Sequence, residues 1–436
     1  MCRITLKFSK LLAIVALVCP AWGVGAQVTT RLNSWKYLAD IRADLNQLFN
    51  YNQYEGMRWG LGLQATYPFR YDPSHARDQQ NGWRIKGYAA YGTLDKALKG
   101  GASADIILPR FPLRSAGISV CHDLDQAGSR QLGSYHLLQT YDNTNYVCSK
   151  YIGVDRLEVG IGQLHHRGND ILMRLRLSRE DYRFDRAGLV YPRRGDASMP
   201  HLLYVEGMVG VRYAFGLSYR LLAGHVRSDD PRMEPRAYAT LLTQYANVLT
   251  PRHGRNDQLF LYAQCGLATL SSPFGRYFDL SGTAGSHYFF RNSFLTVFPD
   301  AFHSNAFLAA SVHYLWGRPL WDLKWSSPQP FLQLGGLVGW LRGSNHEGAL
   351  LYSLRQERPM LPTSTAQIGE EQVLALHAPT RGLLEPAVGV TRVVRLRWLE
   401  VGAALAYQLT PSKADYHRQG WRANMAWAVV ASMTLN

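Results

Sequence analysis

Met57-Arg-Trp-Gly-Leu-Gly-Leu-Gln-Ala-Thr-Tyr67 alternates apolar and aromatic residues with arginine, glutamine, threonine and glycine. A period of two is the pattern of a β-strand that has one apolar and one polar face. The stretch is about twice as long as the strands of a typical soluble sandwich, which have roughly 5–6 residues. A tilted strand of this length would cross roughly 23 Å, close to the apolar thickness that a membrane-spanning strand has to cover.

The same alternation recurs along the chain, at residues 83–91, 171–177, 203–213, 259–267, 308–316, 395–400 and 423–435. Short polar connections alternate with long ones, and no apolar run is long enough for a membrane helix. We therefore predict an all-β fold, an antiparallel transmembrane β-barrel of the outer membrane. The expected strand number is about 14, within a range of about 12–16.

The composition agrees with β-structure, since aromatic residues make up 12% of the chain and there are 39 glycines. The formal net charge is +15, and Arg3, Lys7 and Lys10 contribute three of these charges, leaving +12 for the remainder. The arginines are scattered singly along strand-like segments. A nucleic-acid partner would call for a clustered basic patch, so we expect none.

The first 26 residues have the order of a secretory signal peptide. Three basic residues precede an apolar run at residues 11–19, and Val24-Gly-Ala26 is a small-residue cleavage site that leaves Gln27 first. We expect export to the outer membrane of a Gram-negative bacterium. The expected partners are outer-membrane lipid, lipopolysaccharide and the barrel assembly machinery.

Residues 27–53 are interpreted as an N-terminal lead-in, and residues 54–436 as the barrel with its long loops. In the lead-in, Leu38, Ile41, Leu45 and Leu48 follow each other at roughly helical spacing. This spacing predicts either a short helix before the barrel or a plug-like segment.

The polar positions of the alternating segments are the predicted lumen-facing residues. They have two interpretations: the arginines select anions, or they form a salt-bridged lumen with Glu206 and Glu400 as partners. The candidates are Arg58, Arg84, Lys86, Arg174, Arg176, Glu206 and Arg212.

Residues 271–316 are too aromatic for a solvated loop and too rich in proline, glycine and asparagine for one helix or strand. We predict a long, ordered connection between two strands that folds over a rim or into the lumen and occludes it. Its candidate rim or lumen residues are Phe274, Arg276, Tyr277, Asn292, Phe294, Phe298 and Asp300.

The search for catalytic chemistry finds no phosphate loop, zinc-protease motif or nucleophile elbow. Neighbouring residues on a strand face opposite sides, so His165 and His166 are poorly placed to bind one metal ion together. For the same reason, the side chains from Cys121 to Asp123 are divided between the two faces. We expect no catalytic residue, metal or cofactor. The three cysteines after residue 26 leave either one disulfide, such as Cys121–Cys148, or three free thiols.

Several ordered motifs resemble a large, uncharacterised outer-membrane barrel family of the Bacteroidota. They are Tyr54-Glu-Gly-Met-Arg-Trp-Gly-Leu-Gly62, Gly87-Tyr-Ala-Ala-Tyr-Gly-Thr-Leu-Asp-Lys96, Lys99-Gly100, Pro273-Phe-Gly-Arg-Tyr-Phe-Asp-Leu280, Asn292-Ser-Phe294 and Phe298-Pro-Asp-Ala-Phe-His-Ser304. The resemblance covers about residues 50–436 and implies a barrel and its location. Members of the family usually carry an N-terminal carboxypeptidase-regulatory-like domain, for which the lead-in leaves no room.

The function expected from these observations is that of an integral outer-membrane barrel of uncharacterised role. A non-enzymatic role in transport, envelope assembly or as a surface platform is the first hypothesis. The alternatives are an anion-favouring, porin-like channel and a barrel enzyme acting on lipid or peptide.

Overall fold

The computed structural model describes most of the chain, with gaps in the termini and the long connections. The described residues are 29–34, 40–44, 49–52, 55–70, 80–108, 111–126, 129–130, 150–184, 201–228, 235–251, 256–273, 276–280, 294–297, 302–341, 365–368, 371–374, 378–379, 382–395, 399–410 and 424–433. Within these ranges the regular structure is almost entirely β-strand. Among them, no helix has the length and apolar character needed to span a membrane.

The strands are numbered in chain order. They are β1 Thr29–Ser34, β2 Asp40–Asp44, β3 Phe49–Asn52, β4 Gly56–Pro68, β5 Gly82–Gly92, β6 Leu98–Ile107, β7 Leu113–Gln126, β8 Ser129–Arg130, β9 Lys150–His166, β10 Asn169–Phe184, β11 His201–Arg212, β12 Leu217–Ser228, β13 Arg236–Leu249, β14 Gln258–Ala268, β15 Phe278–Asp279, β16 His303–Ser304, β17 Ala306–Leu315, β18 Gln329–Trp340, β19 Thr365–Ile368, β20 Glu371–Leu374, β21 Leu383–Arg395, β22 Leu399–Tyr407 and β23 Met425–Met433.

Antiparallel pairing connects the long strands in chain order. β2 and β3 pair with the same edge of β4 and therefore share one position. From the other edge of β4, pairing continues through β5, β6, β7, β9 to β14, β17, β18 and β21 to β23. In the described chain the fold is thus an antiparallel β-barrel of 16 strands, with β1 as an additional short strand on β2. The predicted fold is confirmed, and 16 lies at the top of the expected range of about 12–16.

The barrel strands present alternate residues to two different environments. On β11, for example, Val205 is 57% exposed and its neighbour Glu206 is 2% exposed. The outer face is mainly apolar, whereas the inner face carries charged, polar and small residues together with buried aromatic and aliphatic residues on β13 to β21. A soluble sandwich would show the reverse, so this is the architecture of outer-membrane barrels. Apolar outer residues on the first, middle and last strands include Leu61, Leu63, Ile85, Val120, Leu175, Val205, Leu308, Leu334, Val388 and Trp427.

The connections differ in length at the two ends of the barrel. At one end, here called the short-turn rim, they are residues 69–81, 108–112, 167–168, 213–216, 250–257, 316–328 and 396–398. The opposite end, the long-loop rim, carries the long connections 127–149, 185–200, 269–305, 341–382 and 408–424, and also the shorter connections 93–97 and 229–235. The tightest turn is Arg167-Gly168, where both residues have positive φ, as a two-residue hairpin between twisted strands requires.

The expectation of a helix in residues 27–53 is wrong for the described part of that segment. β2 and β3 lie there as strands, and the sheet therefore begins before residue 54. The physical reason is that β4 offers an unpaired edge. Pairing with that edge provides partners for the backbone groups of β2 and β3 that point toward β4, and this gain outweighs a weak local helical periodicity.

The expectation of one strand across residues 395–400 is also wrong. β21 ends at Arg395 and β22 begins at Leu399, so the chain turns inside the alternating pattern. Arg392 has a positive φ, and the register shifts between Val390 and Val394. The carboxylate of Glu400 then pairs with Arg392 across the hairpin at 3.0 Å. The charged residues that suggested a lumen-facing strand thus stabilise a turn at the short-turn rim.

Candidate functional site

Most described residues of the connection from β14 to β17 are buried inside the barrel, whereas Thr269 and Leu270, next to β14, are exposed. Its described residues, 269–273, 276–280, 294–297 and 302–305, are here called the lumen segment. Phe278, Leu280 and Val297 are at most 1% exposed. The segment contains β15 and β16, which pair with each other, and β15 also pairs in parallel with β8.

Some of the predicted loop residues can be placed. Arg276, Tyr277 and Phe294 lie in the lumen segment and are buried. Phe274, Asn292, Phe298 and Asp300 lie outside the described residues.

Arg276 fixes the segment to the wall of the barrel through two carboxylates. Its Nε donates to Oε1 of Glu206 on β11 at 2.5 Å, and its Nη2 donates to Oε1 of Glu180 on β10 at 2.8 Å. The guanidinium also lies over the ring of Tyr204, with Cζ 4.1 Å from the ring centroid. Tyr238 on β13 donates its hydroxyl to Glu206 at 2.5 Å. Every guanidinium nitrogen therefore has a partner, because Nη1 donates to Glu180 as well. We call Arg276, Glu180 and Glu206 the arginine clamp.

The arginine clamp is buried, so its charges interact strongly. Glu180 is 1% and Glu206 is 2% exposed. Burial by itself lowers the pKa of the Arg276 guanidinium, but the two carboxylates outweigh burial and hold that pKa well above its usual value. The guanidinium is therefore held charged, and its bidentate geometry fixes the direction from which the segment enters the lumen.

A second attachment holds the segment to the opposite part of the wall. Glu385 on β21 is 1% exposed and accepts the backbone N–H of Leu295 at 2.9 Å and that of Thr296 at 2.8 Å. The hydroxyl of Thr296 donates to the same carboxylate. A carboxylate that receives several donors is a strong acceptor, and here it replaces the strand partner that residues 295–296 lack.

Apolar packing fills the space between the two attachments. Phe294 lies against Gly335 on β18, where a Cβ atom would be 3.1 Å from the Phe294 ring. The absence of a side chain there allows the ring to approach the strand. Leu295 packs against small residues of β21 to β23. Two buried clusters result: one of Leu242, Phe278, Leu280, Phe294, Val297, Phe302, Phe307, Ala309, Leu337 and Leu383, and one of Leu295, Phe331, Ala387, Ala404, Ala406 and Ala428.

Glu385→Ala is expected to lower the free energy of unfolding by about 2–4 kcal/mol, because it removes three charge-assisted hydrogen bonds from buried donors of Leu295 and Thr296. Equilibrium unfolding of the barrel from lipid vesicles by guanidinium, followed by tryptophan fluorescence, measures it. Leu384→Ile, on the outer face of the same strand, is the control and should change stability by less than about 1 kcal/mol. Equal stability of the two variants would mean that Glu385 does not hold the segment.

The lumen wall on β9 to β11 is a ladder of ion pairs. Glu158 on β9 pairs with Arg174 and, at 2.9 Å, with Arg176 on β10. Arg176 also lies 3.7 Å from Glu206, which joins the ladder to the arginine clamp. The salt-bridged interpretation therefore holds for these arginines, with Glu158 rather than Glu400 as their main partner.

A second network of charges lies at the long-loop rim. Arg58 donates two hydrogen bonds to Asp123 on β7, at 2.7 and 2.9 Å, and lies 3.4 Å from Glu55. Lys99 pairs with Glu55 at 2.6 Å and also with Asp95. The network joins the turn before β4, the turn between β5 and β6, and β7, so Arg58 has a structural role in this rim.

The other lumen candidates have different surroundings. Arg84 and Lys86 lie half-buried on the inner face of β5, and Arg84 is opposite Asp105 on β6. Arg212 lies on the same alternating face of β11 as Glu206, exposed at the short-turn end and opposite Asp170, and its lumen-facing assignment stays a prediction. Asp170 is hydrogen-bonded to Nδ1 of His165 at 2.9 Å.

In the described part of the chain no group of histidine, cysteine and acidic residues is arranged to hold a metal.

The residues that suggested a catalytic cluster are divided by the strand. Cys121 and Asp123 point to the inner face of β7, whereas His122 is exposed on the outer face and pairs with Asp155 of β9 at 2.5 Å. Cys121 and Cys265 are free thiols. Cys148 lies outside the described residues.

Sequence reasoning missed the acidic residues of the site: Glu55, Asp95, Asp123, Glu158, Glu180 and Glu385. A signal existed for Glu158, which lies between the exposed Leu157 and Val159. A carboxylate at an alternating position in an apolar strand indicates an inner-face charge that needs a cationic partner.

No family model and no curated protein matches the chain. Among solved structures, CdiB from Acinetobacter baumannii is similar at 9% identity over 91% of this chain, with a TM-score of 0.39; the match spans 59% of that protein. Wzi of Escherichia coli, a carbohydrate-binding barrel involved in group 1 capsule assembly, is 9% identical over 98% of this chain and 88% of its own, with a TM-score of 0.34. OprD of Pseudomonas aeruginosa is 11% identical over 94% and 100%, with a TM-score of 0.31. Because these similarities are distant, no ligand or partner of this chain is inferred from them.

Proposed function

We propose that this chain is an integral protein of the outer membrane of a Gram-negative bacterium. The observation that carries the proposal is the outer face of the barrel. On β4 and β5, the cross-strand pair Trp59–Tyr91 lies toward the long-loop rim, and the pair Tyr67–Trp83 lies toward the short-turn rim. All four rings are exposed, at 38–54%. Leucine, isoleucine and alanine lie between the pairs, as they do between the aromatic girdles of membrane barrels.

The spacing of the two aromatic pairs fits a bilayer. Eight residues separate Trp59 from Tyr67, which is about 27 Å along a strand and about 19–22 Å across a membrane when the strand tilts by 35–45°. The rings extend beyond their Cα atoms, so the span approaches the apolar band of about 25 Å. Other exposed aromatic residues follow the same division, with Trp340 and Trp427 toward the long-loop rim and Phe111, Phe215, Trp316, Trp321 and Trp325 toward the short-turn rim.

We further propose that the lumen segment keeps the barrel closed, so that the protein acts as a surface platform, an assembly factor or a gated transporter. The arginine clamp and Glu385 support closure, because they hold one connection to β10, β11 and β21 at the same time. A constitutively open anion channel fits less well, since Arg58, Arg174 and Arg176 are paired with carboxylates.

The role proposed is non-enzymatic. This rests on the split of the candidate nucleophile and histidine between the two faces of β7, and on the structural use of the buried carboxylates. Export by residues 1–26, insertion by the barrel assembly machinery, and membership of the Bacteroidota family are parts of the same proposal, and they rest on the sequence.

Expression in a Gram-negative host tests the location. We expect the folded protein in the outer-membrane fraction of a density gradient, with migration on gels that changes on boiling, as folded barrels show. Recovery as a soluble periplasmic monomer would contradict the proposal. Leu175→Arg, at the 64%-exposed centre of β10, should cost about 2–4 kcal/mol of folding free energy in lipid, whereas Arg318→Leu in the short-turn rim should cost little.

A further inference from the structure

Along the described barrel strands, the outer face carries acidic and basic side chains in one sector only. Asp155, Arg179 and Arg227 lie there, toward the long-loop ends of β9, β10 and β12, beside the histidines His122 and His225, and all five are exposed. On the remaining barrel strands, the described outer positions away from the strand ends are apolar, small or uncharged. A barrel in lipid places such charges at the height of the lipid headgroups, because charged side chains on the lipid face are tolerated near the interfaces and not at the bilayer centre.

Two arginines supply the positive charge of this sector. Arg179 on β10 is opposite Leu203 on β11, and Leu203 is opposite Arg227 on β12. The two arginines therefore lie in one row, two strand spacings or about 10 Å apart. Neither makes an ion pair or side-chain hydrogen bond with another described residue. Asp155, the cross-strand neighbour of Arg179, is instead bonded to His122 at 2.5 Å.

An apolar surface continues from the arginines toward the middle of the barrel. Leu203 lies between them and is 46% exposed, and Leu177, Val205 and Leu221 are 44–57% exposed on the same three strands. On β12 the exposed His225 lies between Arg227 and Leu221, opposite Val205, and the other side chains below the arginines on these strands are aliphatic. Two guanidinium groups above such a surface match the shape of a lipid with an anionic headgroup above its acyl chains. A protein partner that bound this row would have to cover the aliphatic surface as well.

We propose that Arg179 and Arg227 bind the phosphate groups of an outer-leaflet glycolipid, whose acyl chains lie on Leu203, Val205 and Leu221. Guanidinium groups bind phosphate in a bidentate manner, and a pair about 10 Å apart is suited to a headgroup that carries two phosphates. The inference rests on the proposed outer-membrane location. To that proposal it adds the class of ligand and the sector of the barrel that binds it.

Native mass spectrometry of the full-length folded barrel in mild detergent tests the inference. The probes are an acylated glucosamine disaccharide with two phosphates, the same lipid without phosphates, and inorganic phosphate. We expect the wild type to bind the phosphorylated lipid at least about tenfold more tightly than the lipid without phosphates, since hydrogen bonds to charged groups are the stronger kind. The Arg179→Gln/Arg227→Gln variant should lose that preference.

The matched control is Arg318→Gln/Lys324→Gln, which removes two exposed cations at the short-turn rim and should keep the preference. Equal binding of the two lipids by the wild type, or equal loss in both double variants, overturns the inference. Displacement of the lipid by inorganic phosphate alone would also overturn it, because the site would then bind a free anion. Gel migration that changes on boiling shows that each variant is folded. If the migration of the wild type does not change on boiling, the proposed function is contradicted. If the wild type is a folded barrel but does not prefer the phosphorylated lipid, only this inference is contradicted.

Discussion

Arg276→Ala is expected to lower the free energy of unfolding by about 3–5 kcal/mol, the range for removing one partner of a buried ion pair. The variant leaves Glu180 and Glu206 buried, at 1% and 2% exposure, without the guanidinium that compensates them. It also removes the cation from the face of Tyr204. The lumen segment would then lose its attachment to β10 and β11. Guanidinium-induced unfolding from lipid vesicles measures the loss.

The control for this prediction removes the charges together. Arg276→Met combined with Glu180→Gln and Glu206→Gln removes the three charges of the arginine clamp together, and it should recover most of the stability lost in Arg276→Ala. Arg318→Ala, at an exposed position in the short-turn rim, should change stability by about 0.5 kcal/mol or less. If Arg276→Ala were as stable as Arg318→Ala, the arginine clamp would not hold the segment.

Removal of residues 275–301, with a short glycine–serine link between β14 and β17, is expected to raise the conductance of the barrel in planar bilayers by at least about tenfold. Barrels of about 16 strands leave an aqueous channel unless something fills them. The deleted residues include Arg276 and the buried Phe278, Phe294 and Val297, which contact opposite parts of the wall. The wild type should show little conductance under the same conditions.

The triple variant of the arginine clamp is also the control for conductance, because it keeps the segment while it removes the charges. It should conduct much less than the deletion. Similar conductance of wild type and deletion, with both proteins folded by gel migration, would show that the lumen segment does not close the barrel.

The fold was predictable because the decisive pattern is local. A period of two over ten or more residues identifies β4, β5, β10 and β11 without knowledge of their partners. The limits of this reasoning are clear at Arg395, where the alternation runs on but the chain turns, and at β2, where the free edge of β4 determines the structure. Both cases depend on a partner strand that a single segment does not reveal.

The site was predictable only in part. The aromatic content of residues 271–316 indicated a connection that packs against a larger body, and Arg276 was among its candidates. Its partners, Glu180 and Glu206, are 96 and 70 residues away in the sequence, and no spacing rule joins them. One further signal was present: residues 401–406 of β22 are apolar or small at both alternating positions, which indicates that an apolar group covers the inner face there as well.

The most direct test of the account is the accessibility of the lumen segment to a thiol reagent. In a chain whose native cysteines are replaced by alanine, Val297→Cys places a thiol at a position that is 0% exposed, and Leu320→Cys places one in the short-turn rim at 62%. With a bulky, charged maleimide, we predict that Leu320→Cys is labelled rapidly and that Val297→Cys stays unlabelled until the barrel is unfolded. Labelling of Val297→Cys at the rate of Leu320→Cys in the folded barrel would contradict the claim that the segment is held inside the lumen.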